Sequence, residues 1–334
     1  MLGEVAAPVL ARRLARLVGL PRAVLAPSTL HVVTDLYRAL ADRVRHIHVD
    51  ACTYAVSRWG VDHARVRGVA VSTFRTPAEL ACRLATPGAH AIVCDAICVA
   101  CRRITPLREL QRLAARSHSW LIVDDSQGIG LLGAGPSSIA PYGRGGGGTL
   151  RWSGTRGDRV IAFGSLAKAF GAPLAFVAGS EAIVRWFEAT SQTRVYSSPC
   201  HAAELAALDA ALCVNEARGD ALRGALIERV DRFRAAVESG GGELAEGRFP
   251  VQCTTAIAAP VARAIDAHLL RRGVRAFRMR AARGTNRLGF IVTADHDLDE
   301  LEEAGALIGD VLSSGRLPRA DRAVRPDEAA AHAP

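Results

Sequence analysis

The chain contains 334 residues, 49% of them hydrophobic and 5% aromatic, and has a formal net charge of +9. This length can bury a large core and predicts one large and one smaller domain. The arginines are scattered along helices beside acidic residues, without interleaved aromatic side chains, so the charge does not indicate a nucleic-acid surface. The apolar stretches are short and interrupted, which excludes a membrane-spanning helix.

Strands alternate with helices from the N-terminus to about residue 200. An amphipathic helix comes first and is predicted to end at Gly19. Six short β-rich segments follow, at 46–51, 65–72, 90–97, 119–126, 158–165 and 172–180. Helical patterns such as 76–85 and 105–117 lie between them. Crossover helices between short apolar strands indicate an α/β fold with a mostly parallel sheet that is covered on both faces.

The pattern changes beyond residue 200, where long helices replace the alternation. Residues 201–241 predict helices that end in glycines; strands are then predicted at 251–258, 274–280 and 287–294, and helices at 262–273 and from Asp297. This mixture is typical of an α+β domain. We therefore expect a large domain at 1–215, a small α+β domain at 216–317 and a disordered tail at 318–334.

Lys168 is the single lysine of the chain. Of the 42 Lys and Arg residues, all the others are arginine. Arginine cannot lose its proton at workable pH and cannot form a Schiff base, so a lone lysine indicates a need for a primary amine. An accidental lysine would be expected among polar residues. Lys168 instead lies between Ala167 and Ala169, in the least charged stretch of the chain. We therefore interpret it as a functional residue.

Two predicted strand ends bear polar residues suited to chemistry. Asp124 and Asp125 end one apolar strand, and the next strand along the chain leads to Ser165 and Lys168. Ligands of open α/β sheets bind beyond the carboxyl ends of the strands. A single acid there can ligate a metal, pair with an arginine or hold a protonated ring nitrogen. An amine beside a carboxylate predicts a pyridoxal 5′-phosphate site, in which the lysine holds the cofactor as an imine and the carboxylate keeps the pyridinium protonated.

Three ordered motifs, VDDSQG (123–128), GSLAKAFG (164–171) and YSSPCHAAELAAL (196–208), resemble those of the α-oxoamine synthase branch of the fold-type-I pyridoxal-phosphate enzymes. That branch includes aminooxononanoate synthases and glycine acetyltransferase-like enzymes, and weaker similarity extends from about residue 8 to residue 313. The resemblance implies a mostly parallel seven-stranded sheet sandwiched by helices, with a small α+β C-terminal domain. It also implies a homodimer with sites at its interface, and the eight scattered cysteines favour a cytoplasmic enzyme with reduced thiols.

The resemblance assigns roles to individual residues of this chain. Lys168 would form the imine and move protons at the substrate α-carbon, and Asp124 would pair with the pyridine nitrogen. Gln127 stands where the family has a histidine and would donate a hydrogen bond to the phenolic oxygen of the cofactor. The remaining cofactor-binding positions are Tyr54, stacked on the ring, and the phosphate-binding residues Ser28, Thr29, Ser165 and, from the other subunit, Ser198.

The chain departs from the family pattern at several positions. Gly289 occupies the place of the arginine that grips the amino-acid carboxylate, and Val99 takes a position that is often serine. From the resemblance we also expect no counterpart of the N-terminal segment that helps the family bind substrate. Nearby arginines can replace the lost one, and the candidates are Arg278, Arg280 and Arg287.

The leading hypothesis is the condensation of an amino acid with an acyl thioester, either acyl-CoA or an acyl-carrier thioester. An imine at Lys168 would give a quinonoid carbanion that attacks the thioester, and decarboxylation would follow. The first alternative is an aminotransferase or lyase reaction on the same imine. The second is a catalytically degenerate subunit or scaffold of a heteromeric complex.

The cysteines and histidines offer rival sites. Cys94, Cys98 and Cys101 have C-x3-C-x2-C spacing, which fits three ligands of a [4Fe–4S] cluster. The spacing begins inside a strand, where alternate side chains face opposite ways, so buried structural thiols in a reducing compartment are favoured. His46 and His48 lie on one strand face as a candidate metal pair, but polar strand-end residues are the commoner explanation. We therefore expect no metal in the site.

Overall fold

The computed structural model describes residues 2–86, 88–281 and 283–314. The packing of Cα atoms divides the chain into two units, one ending at Gly224 and the other beginning at Ala225, within the helix Ala202–Ser239. The expected domain limits at 215 and 317 stay predictions, and the expected tail at 318–334 lies outside the described residues. No helix in the described part of the chain combines the length and apolar character needed to cross a membrane.

The first unit is built on a seven-stranded sheet. Its strands, in chain order with two short ones of a separate hairpin, are β1 (Arg22–Ala26), β2 (His46–Asp50), β3 (Ala70–Phe74), β4 (His90–Asp95), β5 (Ile97–Cys98), β6 (Arg103–Ile104), β7 (Trp120–Asp124), β8 (Val160–Ser165) and β9 (Ala175–Gly179). The order across the sheet is β1-β9-β8-β7-β4-β2-β3, and β5 pairs with β6 alone. Strands β3, β2, β4, β7 and β8 are parallel, whereas β9 is antiparallel to both its neighbours. The predicted seven-stranded, mostly parallel sheet is confirmed.

Helices accompany this sheet. They are α1 (Leu2–Val18), α2 (Thr29–Leu40), α3 (Ala55–Val66), α4 (Pro77–Leu84), α5 (Leu107–Arg116), α6 (Thr149–Ser153), α7 (Glu181–Thr190), α8 (Gln192–Tyr196) and α9 (Ala202–Ser239). The central strands are buried along almost their whole length, because helices cover both faces of the sheet. The core on one face includes Phe163, Val177 and Tyr37.

Two elements differ from the sequence-based expectation. The strand expected at 65–72 is β3, at 70–74, because α3 continues to Val66 and Gly68 then takes a left-handed φ of +89° that ends the helix. Strand β1 was not predicted at all. It consists of five residues between two helices and is recognised by its antiparallel pairing with β9. The helix expected to end at Gly19 is confirmed as α1.

Several turns between strands and helices lie at one edge of the sheet. Asp95 of β4 and Asp124 of β7 are register partners, and β8 ends at Ser165 beside them in the parallel order. Because β9 runs the other way, its first residue Ala175 lies opposite Ser165 and opposite Ala26, the last residue of β1. The residues that follow β1, β4, β7 and β8, and those that precede β9, are therefore brought to the same edge.

The second unit contains a small antiparallel sheet and helices. Its elements are β10 (Val251–Cys253), β11 (Ile257–Ala258), α10 (Ala259–Arg271), β12 (Phe277–Arg280), β13 (Thr285–Ile291) and α11 (Leu298–Ser314). Strand β13 pairs with β10, β11 and β12. Its own core includes Phe233, Phe290 and Leu288. This arrangement is the expected α+β fold.

Candidate active site

Lys168 lies on a tight turn between the buried strands β8 and β9. The amide of Leu166 donates to Leu174 O at 2.8 Å, and that of Ala172 donates to Leu166 O at 3.1 Å. Gly171 takes a left-handed φ of +61°, which lets the turn close. The small residues of this motif therefore hold the lysine at the edge of the sheet, where the residue as a whole is exposed although its amine is partly desolvated.

The amine lies within electrostatic reach of two carboxyl groups. Desolvation lowers the pKa of Lys168, and the charges of Asp124 and Asp95 partly oppose that shift. A lowered pKa increases the fraction of neutral amine near neutral pH, and the neutral amine is the nucleophile. The structure thus brings together Lys168 and Asp124, the two residues on which the sequence hypothesis depended.

Asp124 is fixed by its own turn. Its Oδ1 accepts a hydrogen bond from the amide of Ser126 at 2.9 Å. Burial raises the pKa of Asp124, while the Ser126 hydrogen bonds and the charge of Lys168 act in the opposite direction. The Ser126 hydroxyl also accepts from the amide of Ser165 at 2.8 Å, which ties the end of β8 to the turn after β7. Ser126 was not among the predicted site residues.

Asp95 is a second carboxyl group that sequence reasoning missed. Its Oδ2 accepts from the amide of Tyr54 at 3.0 Å, and its Oδ1 is buried without a hydrogen-bond partner among the described residues. Burial and the neighbouring Asp124 raise the pKa of Asp95. The signal was available, because Asp95 follows an apolar strand just as Asp124 does.

The adjacent Asp125 faces the other way. Both of its carboxylate oxygens accept from the amide of Thr149 at the start of α6, at 3.2 and 2.9 Å. Burial raises the pKa of Asp125 to about 7. Alternation along the strand thus separates the two aspartates, leaving Asp124 with Lys168 and Asp125 in a structural contact.

The expected ring-binding and phosphate-binding residues lie on turns of the same unit. Tyr54 is 64% exposed and precedes α3, with its amide held by Asp95. Ser28 is the N-cap of α2, and its hydroxyl contacts His31 Nδ1 at 2.7 Å. Thr29 begins that helix, in the connection that follows β1. Ser165 ends β8, and its hydroxyl accepts from the amide of Ala167 at 3.2 Å.

Gln127 and Ser198 have less defined surroundings. Gln127 is half-buried and directly follows Ser126. Ser198 is exposed and lines a cavity of about 870 Å³, which also contacts Pro27, the residue before Ser28. The segment leading to Ser198 is anchored by Asp35, which accepts from the hydroxyl of Ser191 and from the amide of Thr193 at 3.1 Å. The assignments of all these residues to a cofactor stay predictions.

Gly289 is enclosed within the second unit. It lies on β13 opposite Phe277 and Cys253. A Cβ at this position would lie 2.4 Å from Phe277 Cζ, so an arginine cannot occupy it without displacing the ring. Of the arginines proposed as replacements, Arg278 is ion-paired with Asp266 at 3.0 Å, while Arg280 and Arg287 lie on β12 and β13. Val99 lies in the turn between β5 and β6.

The three cysteines that lie together in the structure are not the three that the sequence spacing singled out. Cys98 and Cys101 are grouped with Cys52, their sulfur atoms lying within 4.8 Å of one another. Cys94 is buried within β4 and is not a member of this group. The C-x3-C-x2-C spacing therefore does not form a three-ligand set, because Cys52 and not Cys94 lies with the other two thiols.

His46 and His48 do come together, and His90 joins them. His90 Nε2 must donate to Thr86 O at 2.9 Å, so its Nδ1 accepts from His48 Nε2 at 3.1 Å. The hydroxyl of Ser72 can then donate to His48 Nδ1 at 2.9 Å and accept from His46 Nε2 at 3.0 Å. Burial lowers the pKa of His48 to about 3, which agrees with a series of hydrogen bonds between neutral imidazoles. Because each of these nitrogens has a partner, the cluster is explained as a polar core network.

Among known proteins, the chain matches the model of the family "Aminotransferase class I and II" over residues 4–308. An 8-amino-7-oxononanoate synthase of Thioalkalivibrio sulfidiphilus is 33% identical over 221 residues, which are 64% of this chain and 53% of that protein. Serine palmitoyltransferase of Sphingomonas wittichii has a similar structure, with a TM-score of 0.80, 16% identity, and coverage of 93% of this chain and 77% of that one.

A further structural neighbour is SPT with PLP internal aldimine, with a TM-score of 0.76, 17% identity, and coverage of 90% of this chain and 76% of that one. These structures agree in fold with the mostly parallel sheet described above. The chain spans about half the length of the Thioalkalivibrio relative that it matches.

Proposed function

Because this chain belongs to the class I and II aminotransferase family, we propose that it is a pyridoxal-phosphate-dependent acyltransferase of the α-oxoamine synthase type. It condenses an amino acid with an acyl thioester. The main support is the single lysine of the chain, held in the turn that follows β8 within electrostatic reach of two half-buried carboxyl groups. The names of its relatives, 8-amino-7-oxononanoate synthase and serine palmitoyltransferase, support the reaction class.

The residues around Lys168 fit pyridoxal phosphate. The buried Oδ1 of Asp95 has no hydrogen-bond partner among the described residues, and a ligand with a polar donor would satisfy it. The amine, the two carboxyl groups and the hydroxyl of Ser165 match the aldehyde, ring nitrogen and phosphate of the cofactor. When bound, this cofactor supplies an electron sink for carbanion chemistry at the α-carbon of an amino acid.

The protein itself would hold the cofactor and move protons. Lys168 would attach the cofactor and then hold or release a proton at the substrate α-carbon, and its lowered pKa suits both roles. Asp124 would keep the ring nitrogen protonated, since the amide of Ser126 fixes the orientation of its carboxylate. Gln127 would donate a hydrogen bond to the phenolic oxygen.

The remaining predicted residues would bind the cofactor from the surrounding turns. The ring of Tyr54 would cover one face of the pyridine. Ser165 and the helix N-terminus at Ser28 and Thr29 would donate hydrogen bonds to the phosphate, where the helix dipole favours an anion. Ser198 would reach the phosphate bound by the second subunit of a homodimer. We place this homodimer in the cytoplasm, where the eight free cysteines of each chain would stay reduced.

Covalent labelling tests the cofactor site. Purified protein is mixed with pyridoxal phosphate, its visible absorbance is recorded, and borohydride reduction is followed by peptide mapping. Because Lys168 is the only lysine, the N-terminal amine is the only competing primary amine. We expect a new visible band and one phosphopyridoxyl group on Lys168. Lys168→Arg keeps the charge and is expected to remove both signals. Label on the N-terminus alone would refute the assignment.

A second assay tests the reaction. Holoenzyme is incubated with amino acids and acyl-CoA thioesters, and free thiol and keto acid are measured in parallel. Release of coenzyme A that needs both substrates supports condensation. Release of a keto acid without an acyl donor would establish transamination instead. Labelling of Lys168 without either product would leave a cofactor-binding protein and would remove the acyltransferase proposal.

A further inference from the structure

Three thiols converge at the ends of two neighbouring segments of the first unit. Cys52 follows β2, Cys98 belongs to β5, and Cys101 lies in the turn between β5 and β6. Their sulfur atoms lie within 4.8 Å of one another, and Cys101 Sγ is 3.0 Å from Cys52 Sγ. Cys98 is only 8% exposed, whereas Cys101 is exposed, so the group is anchored in the protein and open on one side.

The hairpin directs two of these thiols to one point. Strands β5 and β6 are antiparallel, with Cys98 opposite Arg103. The amide of Cys101 donates to Cys98 Sγ at 3.4 Å, and such a bond stabilises a thiolate. Arg102 takes a left-handed φ of +55°, an uncommon conformation for a residue other than glycine. The C-x2-C spacing on a turn is that of zinc sites, and this turn brings both sulfur atoms within 4.8 Å of each other.

A single carboxylate links the third thiol to this hairpin. Asp50 Oδ1 accepts from the amide of Cys52 at 2.8 Å, and Asp50 Oδ2 forms an ion pair with Arg103. Asp50 is buried, so both contacts are shielded from water. The guanidinium of Arg103 also interacts electrostatically with Cys52 and Cys101. Its positive charge would offset the negative charge that three thiolates bring to a divalent ion.

We propose that Cys52, Cys98 and Cys101 bind one thiophilic cation of the Zn²⁺ class. The three thiols lose their protons and form three metal–sulfur bonds, and water or a small ligand completes a tetrahedral set. Zinc–sulfur bonds of about 2.3 Å place the sulfur atoms of such a site about 3.8 Å apart, which lies within the 4.8 Å that encloses all three sulfur atoms here. Because metal binding displaces the thiol protons, it releases protons and weakens as the pH falls.

Cobalt substitution tests this site in the full chain. Protein reduced with a phosphine and freed of metal by a chelator is titrated with Co²⁺ without oxygen, and Zn²⁺ is added afterwards. We expect one Co²⁺ per chain, sulfur-to-cobalt charge-transfer absorption, the visible bands of tetrahedral cobalt, and their loss on adding Zn²⁺. Weak visible bands without charge transfer, or no saturation, would overturn the proposal. The outcome is independent of pyridoxal phosphate and therefore of the proposed function.

Matched cysteine variants locate the ion. Cys52→Ser, Cys98→Ser and Cys101→Ser are each expected to weaken Co²⁺ binding at least tenfold, as removal of one ligand does. Cys82→Ser is the control, because Cys82 is exposed on α4 and is not a member of the group. Thermal unfolding monitors folding of each variant. Equal binding by the Cys82 and Cys52 variants would contradict the assignment. Absence of metal uptake by the fully reduced protein, with a Cys52–Cys101 disulfide forming once air is admitted as the oxidant, would also contradict it.

Discussion

Asp95 and Asp124 are register partners at the carboxyl ends of adjacent parallel strands, so two carboxyl groups lie side by side at the edge that holds Lys168. Desolvation and mutual repulsion make it unfavourable for both carboxyl groups to be ionised at once. The pKa of each carboxyl group is therefore raised. The nearby amine compensates part of this cost. The three groups therefore titrate as one unit, and a change in one alters the others.

Asp95→Asn is expected to lower the pH at which Lys168 becomes reactive. The charge of Asp95 raises the pKa of Lys168 and thereby opposes desolvation, so removal of that charge lowers the pKa further. The pH midpoint of trinitrophenylation at Lys168, followed by peptide mapping, should fall. Asp62→Asn removes an exposed carboxylate of α3 and serves as the control. An unchanged or raised midpoint in Asp95→Asn would refute the coupling.

Asp125→Asn is expected to change how stability depends on pH. The buried Asp125 carboxyl has a pKa of about 7, above the value near 3.9 of an unfolded chain. The folded protein therefore retains a proton that the unfolded chain releases. Its stabilising contribution is complete below about pH 4 and is lost as the pH rises through about 7.

Denaturant unfolding of the parent and of Asp125→Asn measures this effect. Between about pH 4 and about pH 7 the parent should lose up to about 4 kcal/mol relative to the variant. Asp158→Asn removes an exposed carboxylate and controls for the loss of one negative charge. A constant difference between the Asp125 variant and the parent across this range would show that Asp125 is ionised in the folded state throughout.

The central strands and the lysine turn were predictable because their signals are local. Strands β7 and β8 are continuous apolar runs, and Lys168 is conspicuous in an arginine-rich chain. Strand β1 was missed because five residues without alternation are recognised only through their partner β9. The cluster of Cys52 with Cys98 and Cys101 depends on β2 lying beside β4, and the order of strands is not encoded in any local pattern.

Asp35→Ala is expected to loosen the segment that leads to Ser198. Asp35 is buried and accepts from the amides of Gln192 and Thr193 and from two hydroxyls, so its loss leaves several buried donors unpaired. The free energy of unfolding should fall by roughly 3 kcal/mol. Trypsin cleavage after Arg194 should accelerate.

A surface carboxylate provides the comparison for Asp35. Asp42 forms an exposed ion pair with Arg67, and Asp42→Ala should cost less than about 1 kcal/mol. Cleavage after Arg194 should stay at the parent rate in this control. If Asp35→Ala and Asp42→Ala were equally stable and equally resistant to trypsin, the Asp35 contacts would not anchor the segment.

Gly289→Ala is expected to destabilise the second unit through one aromatic ring. The added Cβ would lie 2.4 Å from Phe277 Cζ, on the strand paired with β13. The ring must move, which should cost about 1–3 kcal/mol in the free energy of unfolding. In a Phe277→Ala background the three nearest atoms to the added Cβ are removed, so the cost of the same change should be much smaller. A double-mutant cycle by denaturant unfolding measures this coupling. Additive costs would show that Phe277 is not the reason why glycine, rather than arginine, occupies this position.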